Sequence, residues 1–146
     1  MSIQVKFKMQ PGSEDLKPAK AHHDDAAYDL RSRVDITAEP AKVTLVPTGL
    51  FMELPIGYEA QVRPRSGMAL KFAMTVLNTP GTIDAGYRGE VCCIMFNAGD
   101  TPYSIKRGDR IAQMVIAALP DVEMLEVEEL SESARSSGGF GSTGKK

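Results

Sequence analysis

The sequence predicts an all-β fold, a sandwich or barrel of many short strands, and three observations carry that prediction. Apolar and polar residues alternate with the period of a half-buried strand near the N-terminus and again around residue 60. Continuous apolar runs of strand length occur further along, at VCCIMF and IAQMVIAAL. Clusters of Pro, Gly, Asn and Asp punctuate the chain at short intervals, which suits antiparallel strands better than alternating β-α units.

Taken in order, Ile3, Val5 and Phe7 alternate with Gln4, Lys6 and Lys8 and predict a first strand. Turns are expected at Pro47–Gly49 and Pro55–Gly57, after which Tyr58, Ala60 and Val62 alternate with Glu59, Gln61 and Arg63 as a second amphipathic strand. Ser66 is a good N-cap for one short helix through Met68, Ala69, Leu70 and Lys71. Pro80–Gly81 predicts another turn. VCCIMF (Val91–Phe96) and IAQMVIAAL (Ile111–Leu119) read as strands buried on both faces, separated by turns at Ala98–Asp100 and Arg107–Asp109. DVEMLEVEEL, Asp121–Leu130, fits neither period well and reads as a strand with a charged outer edge. No large aliphatic residue follows Leu130, so the expected organisation is a core over residues 1–130 and a mobile arm over 131–146.

With 146 residues the chain is long enough for one domain with a substantial core, and 42% hydrophobic with 25% charged residues is ordinary globular composition. A net charge of −2 and the lack of a basic patch argue against duplex nucleic acid as a partner. No apolar run approaches membrane-spanning length, and MSIQVKFKMQ lacks the apolar core of a signal peptide. Cys92 and Cys93 are adjacent, so a strand would send them to opposite faces, and neither a disulfide between them nor a CxxC metal pair is expected. A reducing, cytoplasmic location follows as the default, with a nucleus or organelle as the eukaryotic variants.

Several polar clusters admit two readings each. NTPGTIDAGYRGE, Asn78–Glu90, is either a long hairpin between two apolar strands whose polar residues satisfy turn geometry, or a ligand loop. In the second reading Asp84, ionised near neutral pH, takes a proton from water, and the Tyr87 ring packs on a sugar. RPRSGMA is either a capped turn with solvated arginines or an anion site made by Arg63, Arg65, Ser66 and Gly67. AAYDL and RGDRIAQ are individually weak. HHDD, His22–Asp25, resembles a metal cluster, but consecutive residues rarely converge on one ion. The terminal GFGSTGK, Gly139–Lys145, lacks the Ser or Thr, the strand and the helix of a phosphate-binding loop. It is either a flexible Gly/Ser end or a segment placing Arg135 and Phe140 against an anion and a flat ring.

Together, AAYDL, PRSGMA, GTIDAGYRGE, GDRIAQ and RSSGGFGSTG resemble, in order and spacing, the five motifs of the trimeric dUTP nucleotidohydrolases. The resemblance spans Ala26–Gly144. It implies a distorted jelly-roll subunit of the β-clip type and a homotrimer whose active sites draw on all three chains. The implied reaction is hydrolysis of dUTP to dUMP and pyrophosphate, which limits uracil in DNA and supplies dUMP for dTMP synthesis. By similarity Asp84 is the general base for water attack on the α-phosphorus. Tyr87 lies under the deoxyribose, and Asn78 with the Gly81, Thr82 and Ile83 backbone reads the uracil edge. Arg65, Ser66, Gly67 and Gln113 hold phosphates, and Arg135, Phe140, Gly141 and Ser142 close over the substrate. The implied Mg²⁺ is held chiefly by triphosphate and water, with Asp29 contributing only indirectly. A dCTP deaminase-like enzyme and an inactive nucleotide-sensing protein share the fold, but the first lacks the fifth motif and the second typically loses the aspartate or the tail.

One departure is visible: Ala27 stands where the first motif commonly has glycine, which matters only if that position needs positive φ. Ordering the ten residues from Arg135 to Gly144 costs on the order of 10 kcal/mol. The expected arm is therefore open when empty and closed only when a base for Phe140 and phosphates for Arg135 are both present.

Overall fold

In the computed structural model of the protein, residues 2–146 are described, and they form ten strands, one short α-helix and a single 3-10 turn at Glu14–Leu16. One sheet takes β1 (Lys6–Met9), β4 (Val43–Glu53), β8 (Val91–Asn97) and β6 (Met74–Val76), in the order β1-β4-β8-β6. A second takes β2 (Tyr28–Arg31), β10 (Arg110–Ala118), β5 (Tyr58–Arg63) and β7 (Gly81–Ile83), in the order β2-β10-β5-β7. A ribbon of β3 (Ile36–Ala38) and β9 (Tyr103–Ile105) completes the strands, and every pairing is antiparallel. This is the expected all-β architecture.

Strand alternation sends one set of side chains from each sheet into a shared core. Val46, Leu50, Met52, Val91, Cys93 and Met95 come from the first sheet, and Leu30, Ala60, Val62, Ile83 and Met114 from the second. Asn97 is the polar residue fully enclosed at the end of β8, and its amide donates to the Ala38 and Thr101 carbonyls at 2.9 and 2.8 Å. Its Oδ1 accepts the Gly99 N–H at 2.9 Å, so its burial leaves no polar atom unpaired.

Several local expectations are corrected. The first strand lies later than Ile3–Phe7, and Phe7 is exposed, because β1 is an edge strand paired only with β4. Pro47–Gly49 is not a turn. It is a bulge inside the eleven residues of β4, where the register to β8 shifts between Pro47 and Leu50. Gly49 has φ +74°, and a Cβ there would lie 2.8 Å from the Ser13 Cβ, so glycine is required twice over. VCCIMF is buried on one face only: Cys92, Ile94 and Phe96 are half-buried, beside the exposed Leu45 and Val43 across the strand pair. Helix α1 runs Ser66–Phe72 with Arg65, not Ser66, at the N-cap, and it closes on Ala73 in the left-handed region. Asp121–Leu130 forms no strand, because within one chain its backbone meets no partner. Ala27 is not among the residues with positive φ, so its methyl costs no backbone strain.

Candidate active site

The second sheet offers a polar face. Its register sets Arg63, Gln113 and Asp29 side by side across β5, β10 and β2, and the next row but one pairs Gln61 with Thr82 of β7. In the intervening row Val62 and Met114 point into the core. Alternation on three strands thus gathers hydrogen-bonding side chains on one surface while the other face anchors the sheet.

Above that surface the chain leaves β5 through Pro64 and enters α1. Gln113 Nε2 donates to the Pro64 carbonyl at 2.9 Å, which ties the β10 side chain to the helix entrance. Arg65, Ser66, Gln113, Gln61, Thr79 and Pro80 are among the residues lining a cleft of 540 Å³. Asp29, opposite Gln113 in the β2–β10 register, has a side chain only 17% exposed. It faces Arg65 Nε at 3.5 Å and Arg110 Nη1 at 3.3 Å, while Arg65 Nη1 donates to the Arg110 carbonyl at 3.1 Å. One carboxylate thus orients two guanidiniums, the fork geometry suited to phosphate.

Asn78–Glu90 connects β6 to β8, which pair antiparallel like the arms of the long hairpin expected, and within it β7 departs to the other sheet ahead of the loop carrying Asp84 and Tyr87. The strand before it, β7, pairs with β5 in the second sheet, whereas β8 after it pairs with β4 in the first. The loop therefore bridges the two sheets. Asp84 is exposed, and its carbonyl accepts the Tyr87 N–H at 3.1 Å to close a turn. The Tyr87 hydroxyl donates to the Glu90 carbonyl at 2.9 Å, and its ring lies against Gly89, where a Cβ would run into it. Asn78 is exposed just before β7, with its amide nitrogen 3.2 Å from where a Gly81 Cβ would stand.

The tail is not brought to this cluster within one chain. Among the described residues, its hydrogen bonds run within it: Arg135 Nε to the Gly138 carbonyl at 2.7 Å, and backbone turns at Ser136, Gly138, Ser142 and Gly144. Phe140 is fully exposed, with φ +52° followed by Gly141 at +84°.

No group of three or more His, Cys, Asp or Glu residues suited to a metal ion occurs among the described residues, HHDD included. Among the described residues no helix is long and apolar enough to cross a membrane. Cys92 and Cys93 are free thiols, and burial pushes Cys93 up to about 12.

A family model described as dUTPase matches residues 15–144. The chain belongs to the dUTPase family. Among its relatives, the deoxyuridine 5'-triphosphate nucleotidohydrolase of Caldanaerobacter subterraneus subsp. tengcongensis is 50% identical, covering 99% of each chain. The dUTPase of Staphylococcus bacteriophage 80alpha with dUPNHPP superposes with a TM-score of 0.90 at 28% identity, covering 99% of this chain and 100% of that one. A mutant dUTPase of phage phi11 of S. aureus, whose structure describes coordination of a structural Mg(II) ion, superposes with a TM-score of 0.80 at 25% identity, covering 89% and 100%. In this dUTPase-family chain the residue that sequence reading passed over is Arg110. It lies inside GDRIAQ, but a β10 residue beside Asp29 becomes a candidate ligand only once the β2–β10 register is known.

Proposed function

We propose that this chain hydrolyses dUTP to dUMP and pyrophosphate by attack of water on the α-phosphorus. Family membership supports the substrate class, and the observation that carries the site assignment is the Asp29-oriented pair Arg65 and Arg110 beside Gln113 and Ser66. In this reading those residues, with the Gly67 backbone, bind the phosphate chain. Asn78 and the β7 backbone from Gly81 to Ile83 read the uracil edge, since β7 is an outer strand whose free edge can hydrogen-bond a base. Tyr87 packs under the deoxyribose and Asp84 accepts the proton of the attacking water.

Mg²⁺ is the cofactor in this reading. Asp29 is engaged by two guanidiniums, so it does not serve as a free direct ligand, and the triphosphate with its water carries the ion. When bound, Mg²⁺ neutralises phosphate charge as the bond to the leaving pyrophosphate breaks. Asp29 acts by holding Arg65 and Arg110 in place.

We further propose a core over residues 1–130, an arm over 131–146 that closes on the substrate through Arg135, Phe140, Gly141 and Ser142, and a homotrimer with shared sites. The apolar outer face of the first sheet supports assembly: Val43 and Leu45 are 54% and 59% exposed, with Ile94 and Phe96 beside them. So does the exposed run Val122, Met124, Leu125, Val127 and Leu130, which one chain leaves uncovered. The testing experiment is pyrophosphate release with Mg²⁺ from dUTP beside dCTP, dTTP and UTP. Release from dUTP alone is expected; no release from any of them by folded protein would refute the activity.

A further inference from the structure

We propose that the Arg33–Glu90 ion pair is the positioning element that fixes Tyr87, and through it the enzyme's discrimination between deoxyribose and ribose. The proposal rests on the dUTPase reading above and assigns a role to two residues outside the substrate contacts.

The argument begins with the bridging loop. Its upstream end is fixed by the second sheet, where Ile83 pairs with Ala60. Its downstream end is fixed by the first sheet, and the fixing groups converge on the β4 bulge. The Glu90 carboxylate accepts from Arg33 Nε at 2.6 Å, from Arg33 Nη2 at 3.3 Å and from the Gly49 N–H at 2.8 Å. The Thr48 hydroxyl donates to the Val91 carbonyl at 2.5 Å, and the Arg33 N–H donates to the Pro47 carbonyl at 2.9 Å. Donor and acceptor of the ion pair are therefore both tied to the same three-residue bulge.

Tyr87 depends on that anchor. Its ring is 46% exposed, so packing alone holds it weakly. What orients it is the hydroxyl's bond to the Glu90 carbonyl at 2.9 Å and the flat seat left by Gly89. A ring excludes a 2′-hydroxyl only if it cannot swing aside, so selectivity is set by whatever holds the ring. The chain of support runs from the Tyr87 hydroxyl to the Glu90 backbone, from the Glu90 side chain to Arg33, and from Arg33 to the bulge. The pair is suited to this: the Arg33 and Glu90 side chains are 27% and 19% exposed, and a partly desolvated bidentate pair is stiff where a surface pair is not.

The test compares kcat and KM for dUTP and UTP in the wild type, Glu90→Gln, Arg33→Gln, Arg33→Lys and Tyr87→Phe, each checked for folding by thermal melting. The dUTP-over-UTP ratio of kcat/KM is expected to fall roughly tenfold in Glu90→Gln, Arg33→Gln and Tyr87→Phe, with Arg33→Lys recovering part of it. Because one chain of support is being cut, the Glu90→Gln/Tyr87→Phe double variant should lose no more selectivity than the worse single variant. A wild-type ratio in Tyr87→Phe, or in a folded Glu90→Gln protein that has merely become less stable, would overturn the proposal. Should Glu90→Gln fail to fold, Tyr87→Phe and Arg33→Lys decide alone. A wild-type protein silent toward dUTP would overturn the parent reading instead.

Discussion

Asp84 and Gly89 show how much of this site depends on single atoms. Asp84→Asn keeps the shape of the side chain and removes the proposed proton acceptor, so turnover should fall by roughly 10²–10⁴-fold while a non-hydrolysable dUTP analogue still binds in a titration. Retained turnover would move the base elsewhere. Gly89→Ala adds one methyl group where the Tyr87 ring lies, and the ring must leave its seat. UTP turnover relative to dUTP should rise, measured in the same pyrophosphate assay. Acid should act through Glu90, whose carboxyl the Arg33 guanidinium holds below its ordinary value, with the Gly49 N–H adding to the effect and partial burial opposing it. A carboxylate with a lowered folded-state pKa stabilises the fold above its unfolded value and loses that contribution as pH falls through the folded one. Melting temperature should therefore drop on acidification below about pH 4 to 5, and the drop should be shallower in Glu90→Gln.

At the level of elements, the β4 bulge and the C-terminal arm carry the sharpest expectations. Gly49→Ala forces a left-handed alanine onto Ser13 and should destabilise the fold by about 1–3 kcal/mol in urea unfolding. Removing residues 135–146 should leave melting nearly unchanged and cut turnover by about 10²-fold or more, since the arm makes its hydrogen bonds only within itself. The all-β class and strands β1, β5, β8 and β10 were legible from period-two alternation and apolar runs, whereas β2, β3, β4, β6, β7 and β9 were not. The bulge was not, because Pro-Thr-Gly reads locally as a turn and only the Glu90 carboxylate and the β8 register, both some forty residues away, make it a kinked strand. The Asn78–Glu90 segment was legible in outline, since β6 and β8 on either side of it pair antiparallel, but the departure of β7 to pair with β5 was not, because pairing partners are non-local facts. Motif order located Asp84, Tyr87 and Arg65 in the sequence, whereas Arg110 and the Arg33–Glu90 pair needed coordinates to be found.

The whole molecule leaves apolar surface uncovered on the outer face of the first sheet and along residues 119–130. Sedimentation at micromolar concentration should give a mass three times that of one chain, and Leu45→Lys should lower it. That same face carries Cys92, while its neighbour Cys93 is sealed in the core. Adjacent thiols on opposite sides of one strand make a pair of chemical stopwatches. Alkylation at Cys92 should slow as protein concentration rises and subunits spend longer joined; alkylation at Cys93 should ignore concentration in that range and run only as fast as the two sheets part.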